Sequence, residues 1–411
     1  MRHTLIAGLV AASLPASALA GAKVEINDDA SLDLGFRLQS QMIQYDSDAV
    51  ADSRDYKIRR GRLRLGATVH EKVSLFMQTE FAEGPGAGGD ARVIDAFIKY
   101  KLDDWAQVIA GENMAPSLRQ STTSSGGLMA IDRTGLVYKD LTWGARAVGA
   151  FTNQVLPETD SGLGGDVGVR DMGLTLFGSG SLSDSTHLKY YVGTYDGAST
   201  NNDSERYTAR VQMNFGDPEP GYYNLTTYHG GKETFGIGLA MDAQDEVAEA
   251  AIDGNSPAEW HDYELMTADL FLEQPMGPGA LSAEAGWMDL DLGGGNEHFV
   301  NSDGAVMDGE DDRPYSATVD RVQGSGYYAQ AGYTVGDWQP WVAHESWGSD
   351  ADQDRGSYDA TRVGITYLID GHNANIKAGF EQTKAENAIE ENKHGGEDTI
   401  NAFVLGGYIT Y

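Results

Sequence analysis

YKIRRGRLRLGATV, residues 56–69, contains two stripes of opposite character. Every second residue gives Gly61, Leu63, Leu65, Ala67 and Val69, and the intervening set is Arg60, Arg62, Arg64, Gly66 and Thr68. Neighbouring side chains of a β-strand point to opposite faces, so the stretch is a strand with one apolar face and one bearing three arginines. In a soluble sandwich the apolar face would meet a second sheet and the arginines would meet water. In a membrane barrel the apolar face meets hydrocarbon and the arginines line an aqueous lumen.

The same alternation recurs along the chain. It predicts strands at 31–45, 56–69, 73–81, 93–101, 105–111, 171–178, 186–195, 205–215, 234–242, 261–273, 280–290, 324–335, 339–347, 359–369, 373–382 and 399–411. That is about sixteen, an even number of the size expected of a porin-like barrel. The gaps alternate between short turns, such as 70–71 and 371–372, and long acidic stretches at 243–260, 291–323, 348–358 and 383–398. Short turns at one rim and long loops at the other are a barrel pattern. In the last strand Phe403, Leu405, Gly407, Ile409 and Tyr411 share a face and end on an aromatic residue, as a closing strand requires. The stretch 222–228 also reads as strand and would spoil the even count; it is assigned as an extension near a turn. No repeat of 20 to 50 residues is visible, which argues against a propeller or solenoid.

Residues 1–20 combine a basic start, a short apolar run and small residues at Ala18 and Ala20. This is the pattern of a secretory signal peptide, leaving 21–411 as the mature barrel. No later apolar run is long enough for a transmembrane helix, which needs about 20 residues. The chain has 0 Cys, so no disulfide framework supports it. Its 62 acidic and 29 basic side chains give a net charge of −33, which disfavours nucleic acid as a partner. There is no HExxH, CxxC, GxSxG or P-loop, so no enzymatic activity, metal or cofactor is expected. Neighbours in His344-Glu345-Ser346 would point to opposite faces of a strand and cannot simply converge on a substrate. Asp350, Asp352 and Asp354 resemble a calcium loop but lack its glycine position and its twelfth-position glutamate. Solvated charge is the plainer reading of that cluster and of Asp303 with the 308–312 acids.

LDLGFRLQ (32–39), YKIRRGRLRLGAT (56–68), IDAFIKY (94–100), TSSGGLMAIDR (123–133) and GSGYYAQAGYTVG (324–336) occur in this order. Together they resemble the phosphate-selective porin O and P family of outer-membrane proteins. The resemblance implies an all-β, transmembrane antiparallel barrel of 16 strands, usually a homotrimer, whose third loop (here 113–168) folds inward as a constriction. It also implies a ladder of inward arginines leading anions to a site that includes a carboxylate. By motif position the ladder falls on Arg37, Arg59, Arg60 and Arg133, and the carboxylate on Asp95. Arg119 lies where the family places basic loop residues. Strand parity independently turns Arg37, Arg60, Arg62, Arg64 and Asp95 to the polar face, and puts Arg59 on the other parity. Arg206, Arg210, Arg362 and Lys377 also fall on polar faces.

Phosphate-selective members carry arginines on another long loop, whereas the corresponding stretch 243–260 has no basic residue. An acidic vestibule concentrates cations. Two pore readings therefore stand. One is passive diffusion of small hydrophilic solutes and ions, including anions such as phosphate, past the arginines; the other is a general or cation-preferring pore of the same fold. A third reading is a secreted soluble β-protein that binds a ligand. The arginines could instead merely pair with lumen acids such as Asp33, Glu80 and Asp95.

Overall fold

The computed structural model describes residues 21–27, 29–46, 54–81, 91–133, 170–197, 202–251, 259–291, 298–299, 324–349, 358–385 and 399–411. The signal-peptide assignment, residues 134–168 of the expected constriction loop and the acidic clusters at 303–312 and 350–354 lie outside these residues.

Two strands are short: β1 (Ala22–Glu25) and β13 (His298–Phe299). The others are β2 (Ser31–Asp46), β3 (Arg54–His70), β4 (Val73–Glu80), β5 (Arg92–Lys101), β6 (Gln107–Met114), β7 (Arg170–Ser183), β8 (Thr186–Tyr195) and β9 (Arg206–Gly216). They continue with β10 (Thr234–Ala251), β11 (Glu259–Met276), β12 (Gly279–Asp291), β14 (Gly324–Thr334), β15 (Trp338–Ser349), β16 (Tyr358–Asp370), β17 (Ala374–Ala385) and β18 (Thr399–Thr410). Each of these sixteen pairs antiparallel with the next, and β18 pairs with β2 through Leu405↔Met42 and Ile409↔Leu38, so the sheet closes. Closure leaves no long edge strand with unpaired amides. Tyr411 completes the seam: its amide and carbonyl bond to those of Phe36, and the two rings lie 5.5 Å apart.

The alternation read from the sequence is the in–out alternation of the barrel. On β18, Phe403, Leu405 and Ile409 face outward while Ala402, Val404 and Tyr408 are buried inside. On β3, Leu63 is 58% exposed whereas Arg60, Arg62 and Arg64 are buried. No second sheet covers the outer apolar face among the described residues, which removes the soluble sandwich. An apolar exterior around a polar interior is the requirement of a barrel in hydrocarbon.

Three local features depart from simple alternation. A bulge in β3 shifts the register: Gln39 pairs with Arg60, but Ser40 pairs with Ile58. The extra residue is Arg59, so Tyr56 and Ile58 face out below it while both Arg59 and Arg60 turn inward. The stretch 243–260, expected as an acidic loop, is largely a continued hairpin. β10 and β11 pair as far as Ala250↔Glu259, with a register shift between Gln244 and Ala248. Ladder hydrogen bonds do not need an apolar face, and beyond the hydrocarbon belt both faces become polar, which erases the sequence signal. Finally, β1 forms a hairpin with β2, Ala22 opposite Leu34, on the same side of β2 as β18.

The stretch 222–228 is not a strand. It belongs to the 217–233 connection between β9 and β10, at the same rim as the short turns. Its one ladder contact is a parallel bridge between Thr123 and Asn224.

Candidate functional site

Residues 115–133, which follow β6, are almost wholly buried and bond to inward side chains. The reasons are local and chemical. Met129, Ala130 and Ile131 pack on Trp341, Tyr408, Val404 and Ile43 from β15, β18 and β2. Lys377 of β17 donates to the carbonyls of Leu128, Met129 and Ala130, neutralising three backbone acceptors that water would otherwise serve. Thr267 of β11 donates to the Ser117 carbonyl at 3.0 Å. Asp132 receives Arg59 and Arg60, each at 2.6 Å. Burial alone would raise the Asp132 carboxyl, but the Arg59 and Arg60 guanidinium groups outweigh it and hold the group well below the usual carboxylate range.

The 217–233 connection meets this segment. Asn224 N–H donates to the Thr122 carbonyl at 2.8 Å, Ser124 N–H to the Asn224 carbonyl at 2.9 Å, and Thr226 N–H to the Gly127 carbonyl at 3.1 Å. A Cβ at Gly127 would run into Leu225, so the close approach needs glycine there, and one at Gly126 would displace the Arg37 guanidinium. Arg119 clamps the two segments. It makes a bidentate pair with Glu219 at 2.9 and 3.0 Å and lies 4.2 Å over the Phe271 ring. Burial opposes charge on Glu219, yet Arg119 pulls its carboxyl down to about 2. Arg119 is therefore an internal brace, 1% exposed, and stands away from open space.

A cavity of about 750 Å³ remains beside these segments, against β2–β8. It runs from the turn at His70 up to Ser125, Arg133 and Arg170. Nine lysines and arginines line it against six aspartates and glutamates. This reverses the sign of the chain as a whole, in which acids outnumber bases 62 to 29.

The sequence-derived residues divide into distinct groups. Arg37, Arg62, Arg64, Asp95 and Arg133 line the cavity. Arg59 and Arg60 are spent on Asp132. Arg62 pairs with Glu80 at 2.6 Å, as the bland reading expected for that acid. Asp95 accepts from Arg170 and Gln78. Arg133 donates to the carbonyls of Gln120 and Thr123. Arg37 bonds only hydroxyls, those of Ser125 at 2.5 Å and Thr410 at 3.3 Å. Among the described residues Arg64 makes no ion pair or hydrogen bond, and it sits 5.8 Å from the Phe76 ring. Arg37 and Arg64 thus face the cavity without an ion-pair partner among the described residues, and Asp95 attracts Arg64 only at longer range. Arg206 with Asp242, Arg210 with Asp269, and Arg362 with Glu345 and Glu381 are paired wall braces elsewhere.

Sequence reasoning missed Lys99, Lys189, Arg170, Phe76 and Phe97 as cavity residues. Lys99 and Phe97 share the parity of Asp95 on β5, and Phe76 that of Gln78 on β4, so parity could have found them. Asp132 sits in an irregular segment without a periodic signal, and the strand-like pattern of 222–228 pointed away from the turn that Tyr222 and Tyr223 occupy. Among the described residues no group of three or more His, Asp or Glu is arranged to hold a metal ion.

Known proteins supply an independent comparison. The anion-selective porin from Comamonas acidovorans superposes with a TM-score of 0.57 at 12% identity, covering 93% of this chain and all of that one. The outer membrane channel DcaP of Acinetobacter baumannii gives 0.52 at 13%, over 96% and 100%. OmpT of Vibrio cholerae in its trimer form gives 0.52 at 13%, over 93% and 100%. At such identities the likeness speaks for the fold. A search of curated protein sequences found no significant match. The profile of one family, however, matches residues 32–390, most of the chain. A closed sixteen-strand barrel and that match agree, and the chain belongs to the phosphate-selective porin O and P family, the outer-membrane porins.

Proposed function

We propose that this porin lets small anions and hydrophilic solutes diffuse passively across the outer membrane, with anions preferred. The charge of the cavity carries this reading: nine basic against six acidic side chains, within a chain of net charge −33. A cavity lined by one sign, with low-dielectric walls, focuses the field and concentrates the opposite ion. Arg37 and Arg64, without ion-pair partners among the described residues, supply most of the positive field, with Arg62, Arg133 and Asp95 beside them. Arg59, Arg60 and Arg119 act by holding residues 115–133 in place, and that segment sets the width of the path. Guanidinium stays charged at any physiological pH and suits oxyanions such as phosphate.

The outward apolar residues meet membrane lipid, residues 1–20 act as the export signal, and the barrel assembles as a trimer like that named for OmpT of Vibrio cholerae. A second, cation-preferring reading draws on acids at the long-loop rim, including Asp245 and Glu246. Reversal potentials of purified channels in a KCl gradient separate the two. An anionic sign is expected, and a cationic sign rejects the proposal.

A further inference from the structure

A lumen wall should be polar, yet part of this one is aromatic. β4 and β5 turn Phe76 and Phe97 inward on the parity of Gln78 and Asp95, with ring centroids 5.5 Å apart. Tyr223, from the inserted 217–233 connection, joins them at the cavity surface. Phe97 and Tyr223 pack against a buried apolar cluster of Ile109, Phe177, Tyr191 and Tyr222, part of which also reaches the cavity. The Arg64 guanidinium, which makes no ion pair among the described residues, stands 5.8 Å from the Phe76 centroid.

An inorganic anion gains nothing from such a wall. Phosphate is strongly hydrated, and aromatic faces replace none of its hydrogen bonds. A flat organic anion gains from both sides: its ring packs on Phe76 and Phe97 while its carboxylate reaches Arg64. A cavity of about 750 Å³ is within the usual range for small-molecule sites, which are apolar with a few placed charges.

We propose that the cavity selects organic anions with a flat apolar body, aromatic carboxylates above all, over inorganic phosphate and short aliphatic acids. This rests on the anion-preferring reading given above and narrows its substrate class.

The test uses full-length protein in planar bilayers. Chloride current is recorded while sodium benzoate, sodium acetate or sodium phosphate is added. Benzoate should reduce the current at a concentration at least about tenfold below either of the others, as expected for two ring contacts. Phe97→Leu keeps apolarity and much of the volume but removes the π face, and should weaken the benzoate effect about threefold to tenfold, as should Phe76→Leu. Benzoate acting no better than acetate, or both variants retaining the wild-type benzoate response, overturns the inference. The KCl reversal potential of the same channels is read alongside. A cationic sign there defeats the anion reading itself, and with it this one. An anionic sign without benzoate preference defeats the aromatic assignment alone.

Discussion

Replacing Arg64 by Gln removes a charge that forms no ion pair or hydrogen bond among the described residues, Asp95 attracting it only at longer range. The size of the effect follows from Coulomb's law. An ion passing at about 6 Å in water-like dielectric feels about 0.7 kcal/mol from one unit charge. Losing it lowers anion occupancy about threefold and raises cation occupancy by the same factor, so the chloride-to-potassium permeability ratio falls about tenfold in dilute salt. Screening at a Debye length of about 10 Å reduces this to about fourfold at 0.1 M, and little remains at 1 M. The assay is reversal potential across a KCl gradient, repeated at several mean concentrations. The paired control is Arg62→Gln with Glu80→Gln, which deletes a mutually cancelling pair and should shift the ratio less than about twofold. The reasoning is refuted if Arg64→Gln leaves the ratio unchanged in dilute salt. A shift just as large from the paired deletion also refutes it.

Asp132→Asn leaves Arg59 and Arg60 without their carboxylate and should cost the seating of residues 115–133 about 3–5 kcal/mol, read as noisier open-channel current. Because the Asp132 carboxyl titrates far below its ordinary range, its contribution is complete above about pH 4 and fades only as the pH drops further, so recordings at pH 5 and pH 7 should match in this respect. The His229 and His372 rings lie 4.2 Å apart. Burial first, and then neighbouring positive charge, lowers His229 to about 2; burial lowers His372 to about 4, with Lys377 and Arg37 adding to it. Both are neutral in the fold, so stability is full above about pH 6.5 and declines below it, and the protection of amides in 217–233, relative to their intrinsic exchange rates at each pH, should fall between pH 6.5 and 4. A Cβ at Gly379 would stand 2.6 Å from Ile131 and 3.0 Å from Trp341; Gly379→Val should destabilise the seated segment by about 1–3 kcal/mol while the barrel still forms, checked by heat-modifiable gel mobility. Leu405→Arg puts a charge on the outward face and should cost folding up to about 2–4 kcal/mol, measured by urea titration in liposomes.

Period-two alternation determined the sixteen barrel strands, their inward and outward faces and the closing role of β18. The physical reason is that a strand between lipid and water must alternate, so each residue records its own side. It also turned Arg37, Arg60, Arg62, Arg64 and Asp95 inward. It could not reveal which arginines are cancelled, because ion pairs such as Arg60 with Asp132, or Asp95 with Arg170, join residues 72 and 75 positions apart. Nor could it anticipate Arg59, whose inward turn depends on a bulge that breaks the period it was judged by. The buried course of 115–133 and 217–233 was decided by tertiary structure alone. Irregular backbone has no period, and its position is set by partners such as Lys377, Arg119 and Trp341 that come together only when the barrel closes.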